Sequence, residues 1–159
     1  MKQTKQVSMI EEYGLHPFEV QVLSIERTFC EKIMSLVRFS HTNDPYTNLS
    51  NKIRHVYDIH LMMNDGAIQS FFKNSEFDKM LVKVGKDDFI SYKNDNAWLK
   101  DHPSTALIFK ESEKTWSRIQ ATYRTIFKEL VIGKLPNEND LVDTLKKIAE
   151  RLRLVHWKI

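Results

Sequence analysis

Apolar residues recur along most of this chain at intervals of three and four, and only briefly at intervals of two. The exception comes early. From Glu19 to Ser24 the string EVQVLS sets Val20, Val22 and then Ile25 between polar neighbours, the period of a half-buried strand. A strand this short needs a partner, and the best one within the chain is STALIF, Ser104 to Phe109. Because a lone two-stranded pairing is only marginally stable, EVQVLS reads as the last strand of a sheet whose other strands are missing from the chain.

Beyond Ser24 the period becomes helical. Ser24 is a candidate N-cap with Glu26 in the first turn, and Ile25, Phe29, Ile33, Leu36 and Val37 form a stripe running to about Phe39. A loop from Ser40 to Asn48 precedes a second helix from about Leu49 to Met63, with Ile53, Val56, Tyr57, His60 and Leu61 on one side. Two short helices fit between Ala67 and Lys86, the second opened by a capping-box-like Ser75-x-x-Asp78. Asp87 to Pro103 is polar and broken, a long loop anchored by Tyr92 and Trp98. A helix from about Ser112 to Ile132 carries Trp116, Ile119, Tyr123, Ile126, Phe127 and Leu130, and Gly133 stands just past its end. The last helix, from about Asn137 to His156, places Leu141, Leu145, Ile148, Leu152 and Val155 inward, so these two helices should pack as an antiparallel pair.

Composition narrows the class without changing this picture. The 159 residues, 42% of them hydrophobic and 28% charged with only 4 Gly and 4 Pro, suit one mainly α domain with a minor β element. No apolar run reaches the roughly 18 residues of a membrane span, and the N-terminal MKQTKQVSMIEEYG has no apolar segment resembling a secretion signal, so a cytoplasmic protein is expected. Cys30 stands alone, which excludes an internal disulfide and a thiolate cluster and makes it a small buried apolar residue. A net charge of +3 tolerates a polyanionic partner without demanding one. The basic end RLRLVHWKI, with Trp157 interleaved, could touch nucleic acid, but cations at a helix C-terminus explain it better.

Two positions carry candidate chemistry. Lys32 lies seven residues after Ile25 and three after Phe29, on the apolar stripe of its helix. Either its alkyl stem runs along the core edge with the ammonium in water, or it points into a site for an anion such as phosphate. Asp58, in IRHVYDIH, has Arg54 one turn earlier, and this pair reads first as a surface ion pair worth a few tenths of a kcal/mol. His55 and His60 are five residues apart, which does not align them on one helix face, and with His41 they make a poor metal set. Asp87-Asp88 and Glu76-x-Asp78 are the nearest paired carboxylates, and a loop and a helix cap explain them. No Gly-rich phosphate loop, Gly-x-Ser-x-Gly or Cys/His zinc pattern occurs.

The strings VQVLSIERTFCEKIMSLVR and IRHVYDIHLMM, with "ER-x-F-x-EK-I" opening one helix and "RH-x-YD" on the next, resemble the centre of the AbiEii nucleotidyltransferase family, toxins of bacterial type IV toxin-antitoxin pairs. A weaker likeness extends through STALIF and TYRTIFKELVIGKLPNENDLVDTLKKI. The resemblance implies the helical C-terminal region of a polymerase-β-like enzyme that transfers a nucleotide from a nucleoside triphosphate with magnesium, in some relatives to the 3′ end of tRNA. It puts Lys32 near the triphosphate and Asp58 in the catalytic centre, with Arg54 and His55 as nucleotide-binding supports. Family enzymes also carry Gly-Ser followed by Asp-x-Asp, whose carboxylates hold the metal ions, and neither string occurs here.

The expectation is therefore a single domain over residues 1–159, with the N-terminal catalytic lobe absent, half of a nucleotide site retained at Lys32 and Asp58, and no transfer activity or bound metal of its own. A cognate antitoxin, tRNA or a nucleoside triphosphate, and a second copy meeting at the exposed N-terminal strand are the expected partners. The alternative is a non-catalytic helical module that binds a partner protein or an RNA.

Overall fold

The computed structural model describes residues 9–14 and 19–159; the first eight residues of the N-terminal string read above lie outside the described residues. Its centre is α1, Ile25–Ser40. Ser24 caps this helix as expected, with its side chain accepting from the Arg27 amide at 3.2 Å. The buried face consists of Phe29, Cys30, Ile33, Met34, Leu36 and Val37, none more than 1% exposed, so Cys30 is indeed a buried apolar residue. Ile25, assigned to this stripe by its spacing, instead lies outside the core. Three rings, Phe29, Phe72 and Phe77, meet edge-on or tilted beneath α1.

The remaining helices surround it. They are α2 (Pro45–Ser50), α3 (Ile53–Met62), α4 (Gly66–Lys73), α5 (Ser75–Ser91), α6 (Leu107–Lys110), α7 (Ser112–Thr122) and α8 (Glu138–Leu152), with short 3-10 turns at Ala97–Lys100, Pro103–Thr105 and Lys128–Leu130. Helix α1 packs against α5, α2, α3 and α6, while α8 closes the far side against α3, α6 and α7. The protein is mainly helical, and no strand occurs among the described residues.

Several sequence expectations are corrected here. The segment 19–24 has no regular secondary structure and pairs with no strand among the described residues, with Val20, Val22 and Leu23 in solvent. STALIF is not its partner. Pro103 starts a 3-10 turn capped by His102, and Leu107–Lys110 then closes a helical turn through Lys110 N–H to Ala106 C=O. A short apolar run fits a buried helix as well as a strand, and here Pro at the first position decides for the helical turn. The loop at Ser40 to Asn48 is interrupted by α2, which the Asp44 side chain caps at the Thr47 amide and Pro45 begins. The buried side of α3 is Ile53, Val56 and Ile59, while Leu61 is exposed. Asn74, not Ser75, caps α5, and the helix continues to Ser91 because Asp87 pairs with Arg27 at 2.8 Å instead of opening a loop. Trp98 anchors the following loop as expected, buried and donating to the Asp95 carbonyl.

The last two helices run antiparallel, as the ties between them require. Trp116 in the middle of one and Arg124 just past its end both donate to Glu138 at the start of the other, and Lys146 reaches back to Glu113 near the start of the first. The first of them does not run unbroken to Ile132. After Thr122 the chain widens into a π-helical turn over Tyr123–Phe127. Tyr123 and Phe127 stay buried and stacked, with centroids 5.7 Å apart, but the under-wound turn rotates Ile126 and Leu130 out of the core. Gly133, at φ 103°, then reverses the chain in a conformation that glycine favours. At the C-terminus Trp157 lies over Gly85 of α5 and donates to the Leu99 carbonyl at 2.9 Å; a Cβ at Gly85 would stand 2.4 Å from the indole.

Candidate functional site

Helices α1 and α3 cross, and their crossing joins the two positions singled out by the sequence. Lys32 Nζ donates to Asp58 Oδ2 at 2.7 Å, a contact between residues 26 apart in sequence. Lys32 sits at the edge of the α1 core face, one turn from Phe29 and Leu36, while Asp58 stands between the buried Val56 and Ile59 on α3. Both side chains are about one-fifth exposed, at 19% and 20%. The pair is thus neither a free surface bridge nor a fully desolvated one.

Arg54 approaches the same Asp58 oxygen, its Nε at 3.5 Å, as the i, i+4 spacing predicts. This is a loose contact, and the Arg54 side chain is 77% exposed. His55, next to it, has its Nδ1 buried without a hydrogen-bond partner among the described residues. Burial first, then the nearby Lys32 and Lys52 ammonium groups, push the His55 ring down to about 4, so it is neutral at pH 7. Lys52 itself lies over the Phe39 ring at 4.8 Å. One carboxylate and three cations therefore converge around His55, an arrangement that favours an anion.

Next to this group is a cavity of about 350 Å³ lined by Arg54, Tyr57, Asp58, Phe127, Leu130, Val131 and Ile132. Tyr57 meets Phe127 edge-on at 5.1 Å, so the π-helical turn forms one wall of the cavity. Periodicity assigns Leu130 and Phe127 to one helix stripe and Tyr57 to the apolar side of another, and leaves Val131 and Ile132 without a role. The signal available in the sequence was the cluster of aliphatics Leu130-Val131-Ile132 just ahead of Gly133.

The other two histidines of the candidate metal set lie elsewhere. His60 Nδ1 pairs with Thr144 Oγ1 at 2.8 Å, and His41 stands 3.7 Å from Asp101. A larger cavity of about 850 Å³ runs between α3, α4 and α8, away from Lys32 and Asp58. It is lined by Lys73, Lys147 and Arg151 against Asp140, Asp143 and Glu150, so its charges cancel. Size alone does not make it the functional site.

A divalent cation does not fit the residues around Asp58. Magnesium takes several oxygen ligands, whereas Asp58 is the one carboxylate there and its Oδ2 already receives Lys32. No group of three or more His, Cys, Asp or Glu able to hold a metal occurs among the described residues. No helix described is long and apolar enough to cross a membrane.

Comparison with known proteins returns no match among curated proteins and none among solved structures. A family model described as "Nucleotidyl transferase AbiEii toxin, Type IV TA system" does match, over residues 3–149, and it spans both Lys32 and Asp58. The chain belongs to the AbiEii nucleotidyltransferase toxin family of type IV toxin-antitoxin systems.

Proposed function

We propose that this chain supplies the helical half of a nucleotidyl-transfer site, with Lys32 contacting the triphosphate of a nucleoside triphosphate, Asp58 holding Lys32 in place and facing the reacting groups, and Arg54 and His55 supporting them. The observation that carries this reading is the 2.7 Å contact between Lys32 and Asp58, the residues of the "EK" and "YD" motifs, within a cluster of excess positive charge. Triphosphate recognition needs fixed cations with unused donors, and a lysine ammonium has three.

The metal-binding carboxylates of the reaction come, in this reading, from a catalytic lobe outside these 159 residues, on the same or another polypeptide, because they contain no Gly-Ser and no Asp-x-Asp string. The segment 19–24, which lies outside any helix with its apolar residues in solvent, would become a strand against such a lobe or a second copy. The acceptor is an RNA end such as that of tRNA, and the cognate partner is the antitoxin that the family implies.

The test is transfer of label from each radiolabelled nucleoside triphosphate to total tRNA with Mg²⁺, alongside equilibrium binding of the same nucleotides. The expected outcome is binding that Lys32→Ala weakens, and no transfer by this chain alone. Transfer abolished by Lys32→Ala would show an active enzyme and overturn the division of labour; no nucleotide binding at all would overturn the half-site itself.

A further inference from the structure

Three neighbouring aliphatics of the segment after Tyr123 lie open to solvent: Ile126 at 69%, Leu130 at 74% and Ile132 at 104%. Single exposed aliphatics need no explanation, but Leu130 and Ile132 line one cavity together with the charged Arg54 and Asp58. The register responsible comes from the π-helical turn, which keeps Tyr123 and Phe127 in the core while turning Leu130 outward. Such turns often occur where a helix has been adapted to a site.

The cavity has two unlike sides. One is Leu130, Val131 and Ile132, whose side chains offer no donor or acceptor. The other is the Asp58 carboxylate with Arg54, whose guanidinium makes one 3.5 Å contact and keeps most of its five donors available. Lys32 reaches the same carboxylate from α1 and uses one of its three donors there. A ligand that satisfies both sides must have an apolar-faced end and an anionic end, and a nucleotide, with its base and phosphates, has both. At about 350 Å³ the cavity suits a small organic group, since ligand sites begin near 300 Å³. The larger groove beside α8 offers no such excess of one sign, because its cations and carboxylates are equal in number.

We infer that this cavity is the nucleobase subsite of the nucleotide site, with the base lying on Leu130, Val131 and Ile132 beside Tyr57 and the phosphates directed toward Arg54 and Lys32. The inference rests on reading Lys32 as the triphosphate contact. Contacts with a base face are tolerant of base identity, because every base presents a π-face.

Binding of inorganic tripolyphosphate and of ATP to the full chain separates the two ideas. Measured by calorimetry, Lys32→Ala should weaken both ligands. The double variant Leu130→Ser, Ile132→Ser should weaken ATP about tenfold and leave tripolyphosphate unchanged. Both substituted side chains are largely in solvent, so the variant keeps the fold; an unchanged circular dichroism melt checks this. ATP affinity unaltered by the double variant, or both ligands weakened equally, would overturn the base subsite while leaving the Lys32 reading intact. Binding of both ligands unaltered by Lys32→Ala would overturn the phosphate reading, and the base subsite with it.

Discussion

Arg151 and Arg54 each face a carboxylate, yet their surroundings differ in almost every respect. Arg151, in the last turn of α8, is 14% exposed; it donates to the Phe72 and Asn74 carbonyls at the end of α4, reaches Asp78 at 2.6 Å and lies over the Phe77 ring. It satisfies carbonyls at a helix C-terminus, which have no partner within their own helix. Arg54 is 77% exposed, makes one long contact and stands beside a buried, unpartnered histidine nitrogen and a row of exposed aliphatics. In the first region the arginine's donors end on two backbone carbonyls, and Asp78 Oδ1 is held by the charge contact without a hydrogen bond, as in a structural joint. The second leaves donors and apolar surface available, as a binding surface does.

The largest effect should come from breaking the joint. Arg151→Ala leaves the part-buried Phe72 carbonyl, the exposed Asn74 carbonyl and the Asp78 carboxylate without their donor, at a cost of about 3 kcal/mol in urea unfolding. A loss under about 1 kcal/mol would mean that water replaces the arginine and that the joint is no tighter than a surface pair.

An intermediate effect should come from acid, acting on the Asp58 side. His55 is held neutral in the folded chain, with its ring pushed down to about 4, while in the unfolded chain it titrates near 6.5. Between these values the unfolded state binds more protons, so stability is full above about pH 6.5 and declines as the pH falls toward 4. Allowing for the solvent that reaches this half-buried ring, the decline is about 1–2 kcal/mol. His60, also lowered by burial, adds in the same direction. Urea unfolding at pH 7.0 and 4.5 should show a smaller difference for His55→Gln than for the unaltered chain. An identical difference would place the acid sensitivity elsewhere.

The smallest effect should come from Arg54→Ala, which should change the melting free energy by no more than about 0.5 kcal/mol. Thermal unfolding would check it. A cost near that of Arg151→Ala would end the contrast between the two arginines.

Much of this contrast could be read before the fold was known. Lys32 stood out because its position on the α1 stripe is one that a charged residue seldom occupies, and Asp58 because of its motif; both lie where α1 and α3 cross. The stripes of α1 and α8 were equally legible, since a period of 3.6 over four turns is a local property. Short segments were not. STALIF became a helical turn, the loop after Ser40 held α2, and Asp87 extended α5 by pairing with Arg27. In each case few residues carried the signal, and a proline or a distant charge decided the outcome.

The apolar wall was hidden for a different reason. Ile126 and Leu130 fit the helical period of Trp116, Ile119 and Tyr123, and only the π-helical turn takes them off the core face. That turn is accompanied by Phe127 packing against Tyr57 of α3, a contact across 70 positions that periodicity cannot anticipate.

The order of amino acids by itself determined the helical class, the inward faces of the long helices and the family motifs, because capping, 3.6-residue spacing and short strings are encoded locally. The tertiary structure alone decided that Lys32 and Asp58 touch, that His55 lies neutral among three cations, and that Leu130 and Ile132 border their site. Those relations join separate helices, and packing sets their distances, not spacing along the chain.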